Sequence, residues 1–190
     1  MGRQHQNIVV QVTKNFENIE LSLPKLKKLV RTICNRFGIL RVTVGVVIVD
    51  NEQIRKINKE FLNRRRTSDC LSFDLSDSRP PPLLLRKKLR GSPRLFELVV
   101  NGEMAVKEAS LRGHSGEAEL ALYVTHGLLH NIGFDDSTKK KATKMHDTED
   151  EILQQLGYGL VYKRSVKSRI YNCRLSSTDR KSEIENRKSR

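Results

Sequence analysis

The stretch His126-Gly127-Leu128-Leu129-His130-Asn131-Ile132-Gly133-Phe134-Asp135-Asp136 concentrates the residue types best suited to chemistry in this chain of 190 residues. Histidines at i and i+4 of a helix stand about 40° apart in projection, one turn above each other. Two imidazoles so placed grip one metal ion. Gly133 follows, and a glycine accepts the positive φ that lets a chain turn sharply. A later carboxylate, Asp135 or Asp136, then comes back as the third ligand. Three protein ligands and an open position describe catalytic zinc, whereas structural zinc is closed by four. The sequence has no CxxC pair and no second HxxxH from which to close a site. Zinc lowers the pKa of a bound water to about 7 and polarises a phosphoryl or carbonyl oxygen. In zinc proteases a glutamate directly after the first histidine serves as general base. Here that position is Gly127, which holds no proton acceptor, so peptide hydrolysis by that route is disfavoured. Glu108 and Glu149 are further acids that the sequence does not place.

The elements that must position these residues are readable in outline. Ile8–Val12 reads as a first strand. Ser22 and Pro24 open a helix whose Leu26, Leu29, Val30, Ile33 and Phe37 recur at helical spacing, with Gly38 ending it. Val42–Val49 is the strongest strand, and its almost unbroken apolar run suits an interior position covered on both faces. Asp50-Asn51 caps a second helix that buries Ile54, Ile57 and Phe61. Cys70–Phe73 is a short strand. Around Asn101-Gly102 the reading is either a hairpin turn or one strand running through. A third helix spans about Glu117 to Ile132, its stripe of Ala118, Leu122, Thr125, Leu129 and Ile132 packed on the sheet and its histidines at the edge of the core. A fourth runs from about Thr138 to Leu156. The expected architecture is α+β: a small mixed sheet of about four strands with about four to five helices, and the metal site at the end of a central helix.

Length and charge bound the rest. One domain over residues 1–160 is expected, interrupted by a Pro/Arg-rich loop at about 74–97. Lys and Arg number 36 against 22 Asp and Glu, a net charge of +14, and residues 161–190 alone hold ten Lys/Arg against three Asp/Glu. That basic, disordered-type tail is either a solvated appendage or an electrostatic tether to RNA. No apolar run reaches transmembrane length, and the N-terminus lacks a secretory signal. Three widely spaced cysteines (Cys34, Cys70, Cys173) argue for a reducing compartment without disulfides, so a cytoplasmic location is expected. Cys34 and Cys70 read as core residues and Cys173 as exposed, as do His5 and His114, which have no partner pattern.

The string HGLLHNIGFDD resembles the HGxLHLxGxDH metal motif of the YbeY family of single-strand-specific endoribonucleases. The resemblance continues through Val49-Asp50-Asn51 to Asn58. It includes Ser68-Asp69-Cys70-Leu71-Ser72-Phe73, similar to the family's TDVLSF segment, and Gly102–Val106, similar to its GDI strand. It extends to Met145 and Glu149–Leu153, and covers about residues 8 to 157. What it implies is a zinc-dependent, single-strand-specific endoribonuclease with one Zn2+, maturing the 3′ end of 16S rRNA and acting in ribosome quality control. Its partners would be single-stranded RNA and the ribosome's 30S subunit. The implied metal ligands are His126, His130 and Asp136, with Asp136 where the family usually has a third histidine and Asp135 behind the ligands. His146 is a rival third ligand, expected to be exposed. The family's arginine after the aromatic that ends the second helix is replaced here by Leu62, after Phe61. Arg64, Arg65 and Arg66 follow closely, and either supply that phosphate contact or form a solvated basic turn. Two other readings stand beside this one: a zinc peptidase or amidase, and a non-catalytic, metal-stabilised ribosome-assembly factor.

Overall fold

The computed structural model describes residues 7–76 and 93–162. The basic tail, Cys173, His5 and the centre of the Pro/Arg-rich loop lie outside the described residues. Along the chain come β1 (Asn7–Lys14), α1 (Leu23–Arg36), β2 (Arg41–Val49), α2 (Asn51–Leu62), β3 (Cys70–Asp74), β4 (Arg94–Asn101), α3 (Gly102–Arg112), α4 (Gly116–Ile132) and α5 (Lys139–Gln155). The sheet order is β1-β2-β4-β3. β1 and β4 flank β2 in parallel, with Val10 opposite Val44 and Val46 opposite Leu98, while β3 runs antiparallel to β4 with Leu71 opposite Val99. This is the mixed α+β sheet expected from the pattern of elements.

β2 is interior, and its two faces feed two apolar cores. Val42, Val44, Val46 and Ile48 pack with α1 and α4, whereas Val47 and Val49 face Ile54 and Ile57 of α2. The period-two alternation of a strand sends neighbours to opposite faces, so a run of β-branched residues is what a doubly covered strand requires. α4 is the central helix, buried from Ala118 to Thr125 and again from Gly127 to Leu129. A helix apolar all round belongs inside the protein, and it delivers its C-terminal turn, with His126 and His130, to the edge of the core.

Two local expectations are corrected. Asn101-Gly102 is neither a hairpin nor part of a continuous strand: β4 stops at Asn101 and α3 begins at Gly102. The Asn101 side chain accepts a hydrogen bond from the Met104 backbone N–H at 2.9 Å, as an N-cap does, and donates to Asn51 Oδ1 and Ser68 O. Side-chain capture of a helix N–H outcompetes the turn that Asn-Gly forms in isolation. The segment similar to a strand, Gly102–Val106, is therefore helical. In α2, Phe61 is not buried: it is 64% exposed and touches Phe73 edge-on. Asn58 turns inward in its place, with Nδ2 donating to Arg66 O and Ser68 Oγ at 2.9 Å each. Asn58 is buried at 3% exposure, and its amide ties the turn after α2 to the residues just ahead of β3.

Candidate metal centre and its cavity

His126 and His130 project from the last turns of α4, their rings 4.6 Å apart and nearly perpendicular. Gly133 caps the helix at φ 103°, and the chain reverses to bring Asp136 Oδ1 to 4.0 Å from His130 Nε2. The two histidines nominated by spacing and Asp136, the third ligand that the family resemblance implies, are thus brought together. Their hydrogen bonds show what the group is built for. His126 Nδ1 lies 2.8 Å from Glu149 Oε1, and His130 Nδ1 lies 3.2 Å from the Phe134 carbonyl oxygen. Both partners only accept, so in the neutral rings the protons sit on Nδ1 and the lone pairs on Nε2. Those two Nε2 atoms face each other at 3.1 Å. Two lone pairs at that distance, with a carboxylate beside them, repel unless a cation joins them. Tetrahedral zinc with bonds of about 2.0–2.1 Å holds its nitrogens about 3.3 Å apart, close to the separation seen. The donor set fits a divalent ion.

Glu149, on α5, is the residue that the metal motif did not contain. Its carboxylate is 1% exposed and reaches a second imidazole, His146 Nδ1, at 2.8 Å through Oε2. His146 is half-buried rather than exposed, stacked on Tyr162 with ring centroids 3.6 Å apart. His126, His146 and Glu149 form a second set of close ligand-type atoms. Burial opposes charging of His126, and the hydrogen bond and charge of Glu149, with Asp69 and Asp136, outweigh it, so its pKa lies above the usual value. Asp135 turns away from the histidines. Its carboxylate bonds Lys141 Nζ, Ser137 Oγ and the Ser137 N–H, and these hold its pKa well below the usual range.

A cavity of about 440 Å³ opens beside His126 and His146, walled on its far side by Ser68, Asp69, Glu108 and Arg112. Within that wall Arg112 pairs with Glu108 and with Glu119, which also lines the cavity and is fully buried. His114, expected to be exposed, is only 7% exposed and bonds Glu119 at 2.5 Å. The burial follows from Gly113, which turns the chain between α3 and α4 at φ 72° and folds His114 under α4. Arg64, Arg65 and Arg66 sit exposed in the turn after α2, immediately before Thr67, Ser68 and Asp69 of the cavity wall. Gly127 is explained by packing: a Cβ there would lie 2.6 Å from Cys70 Sγ and 3.1 Å from Leu98 Cδ2. The strand beneath leaves no room for the glutamate that a zinc protease carries at this position. Burial pushes the Cys34 thiol up to about 11, and burial with the Asp69 charge pushes Cys70 well up, so neither is a thiolate nucleophile.

Two imidazoles of α4 facing each other with a carboxylate beside them, next to a cavity that His126 also lines, are the donor set that a metallohydrolase uses. The model of one protein family, Endoribonuclease YbeY, matches residues 11–157. The chain belongs to the YbeY family of endoribonucleases and is an RNA-cleaving hydrolase. Among curated relatives, the Endoribonuclease YbeY of Chelativorans sp. (strain BNC1) is 34% identical over 126 residues, covering 66% of this chain and 72% of its own. That of Thermoanaerobacter sp. (strain X514) is 29% identical over 138 residues, covering 70% and 87%. That of Bacillus licheniformis is 28% identical over 156 residues, covering 80% and 96%. A solution structure of a Thermotoga maritima protein aligns with a TM-score of 0.49 at 21% identity, over 77% of this chain and 91% of that one. Among the described residues no helix is long and apolar enough to cross a membrane.

Proposed function

We propose that this chain is a zinc-dependent, single-strand-specific endoribonuclease of ribosomal RNA, with His126, His130 and Asp136 holding one ion. The observation that carries the reading is the pair of Nε2 lone pairs facing each other at 3.1 Å, each ring fixed by an acceptor on its other nitrogen. A bound zinc supplies Lewis acidity to a phosphodiester oxygen and makes a water acidic enough to serve near neutral pH. The protein's share is to orient the two imidazoles through Glu149 and the Phe134 carbonyl. It also keeps a polar cavity open beside them and presents basic side chains to the RNA backbone. Arg64, Arg65 and Arg66 are the nearest exposed cluster to the cavity wall in sequence, and we assign them phosphate contacts. The catalytic unit is residues 1–160, the basic tail adds an electrostatic hold on RNA, and the partners are 16S rRNA precursor and the 30S subunit in the cytoplasm.

The test is metal content of protein purified without added metal, together with cleavage of single-stranded and duplex fragments of rRNA. Wild type is expected to carry about one zinc per chain and to cut only the single strand. Asp136→Ala is expected to lose most of the metal and the cleavage together. Retention of stoichiometric zinc in that variant removes Asp136 from the ligand set. The assembly-factor reading would be favoured instead if the double variant His126→Ala, His130→Ala still supported complete rRNA processing. The peptidase reading is disfavoured by the steric closure at Gly127.

A further inference from the structure

His146 lies outside the HxxxH motif, yet it is held as firmly as the residues within it. Its Nδ1 sits 2.8 Å from Glu149 Oε2, and its ring stacks on Tyr162 with an interplanar angle of 11°. Glu149 is sealed from solvent and its other oxygen holds His126, so the carboxylate has two fixed donors. A carboxylate only accepts, which places the His146 proton on Nδ1 and leaves Nε2 of the neutral ring as an acceptor. Among the described residues Nε2 has no hydrogen-bond partner, and the buried polar atoms left without one are His114 Nδ1 and Tyr158 Oη. The His146 side chain is 18% exposed and lines the cavity beside His126, so an acceptor without a partner among the described residues stands on the cavity wall.

A substrate that displaces water from the cavity keeps that acceptor satisfied only by donating to it. The phosphate oxygens of a nucleic acid accept only. The sugar–phosphate chain of RNA has one donor, the 2′-hydroxyl, and DNA lacks it. We propose that His146 is a specificity-determining residue: its Nε2 accepts the hydrogen of a 2′-hydroxyl on a nucleotide seated in the cavity, so that ribose is selected over deoxyribose. This rests on the reading of the cavity as the RNA site. No bond is made or broken by His146 in this role; it reads the sugar while Glu149 and Tyr162 keep its ring still.

The experiment is binding of a fluorescent single-stranded RNA to the metal-loaded full chain, followed by anisotropy in the cold, with the oligonucleotide checked for intactness afterwards. A series of the same RNA with one 2′-deoxy nucleotide moved along the strand is measured against wild type and His146→Phe. The phenyl ring keeps the stack on Tyr162 and lacks Nε2. Wild type is expected to lose about tenfold in affinity at one deoxy position, the worth of one well-placed hydrogen bond. In His146→Phe the all-ribose strand binds about tenfold more weakly and the deoxy penalty at that position disappears. His146→Gln, whose amide oxygen still accepts, restores part of it. If His146→Phe does not fold, His146→Ala carries the same expectation. Persistence of the full deoxy penalty without the imidazole overturns the proposal. So does its absence at every position in wild type, or a penalty that follows base identity rather than the sugar. Metal content is measured on every variant. A wild type that holds no metal and cuts no RNA would refute the nuclease reading itself, whereas a metal-loaded, RNA-cleaving wild type indifferent to the 2′-hydroxyl would refute only the role of His146.

Discussion

A buried carboxylate between two imidazoles decides which nitrogen each ring presents, and Glu149 holds that place between His126 and His146. In Glu149→Gln the amide has one accepting oxygen for two N–H donors, and its own NH2 group meets a donor instead of an acceptor. One ring is then free to turn, and the negative charge that strengthens His126 as a ligand is gone. Loss of such a supporting carboxylate lowers metal affinity by about 10–100-fold, which competition with a chromophoric chelator would measure. An affinity equal to wild type would show that Glu149 does not orient His126. The pairing of His126 with His130 was legible in helical spacing, and Gly133 announced a turn back to a carboxylate, but spacing left Asp135 and Asp136 open and only the family resemblance favoured Asp136, the one that the structure brings beside the histidines. Glu149 was an acid that the sequence could not place, and His146 a rival ligand expected to be exposed. They stand on α5, and which residues of one helix meet those of another depends on how the helices cross, a relation that spacing within either helix does not encode.

Local capping chemistry made most element boundaries readable: Ser22, Asp50 and Thr138 each accept from a backbone N–H three residues on, as their types suggest. Asn101 escaped because Asn-Gly carries two local meanings, and tertiary partners choose between them. Phe61 escaped for a related reason, since helical periodicity marks a face without saying how far the sheet beneath it extends. Asn101 is fully buried and joins three elements, accepting from α3 while donating to Asn51 at the start of α2 and to Ser68 ahead of β3. Asn101→Ala removes the cap and strands two part-buried acceptors, so unfolding free energy should fall by about 2 kcal/mol. Asn101→Asp keeps the capping oxygen but points a carboxylate at Asn51 Oδ1 and Ser68 O, so it should not rescue. Urea titrations of both variants check this: Asn101→Asp matching wild type would mean that the cap alone matters and the two donated bonds do not.

At the scale of the whole molecule, the sequence conveyed that Val42–Val49 is covered on both faces but not the order β1-β2-β4-β3, because strand order is set by contacts between distant segments. The same holds for the ion network that locks α3 to α4 in the cavity wall. Arg112 meets Glu108 four residues earlier and Glu119 across the turn, and His114 closes on Glu119 from the other side. Burial opposes the charge on Glu119, and His114 and Arg112 overcome it, so its carboxyl is held below its ordinary value of 4.5. A folded-state pKa lower than the unfolded one means that the unfolded chain takes up the proton first as pH falls. The stabilisation is therefore complete above about 4.5 and is lost as pH drops through the lower folded value. Replacing Glu119 by Gln should cost about 3 kcal/mol at pH 7, since it leaves Arg112 buried with half its compensation. Below pH 4.5 wild type should lose stability faster than the variant, and the two curves should draw together. Urea midpoints taken stepwise from pH 7 to pH 3 decide it, because curves that stay parallel through the acid range would show that this buried carboxylate is not the group whose protonation loosens α3 from α4.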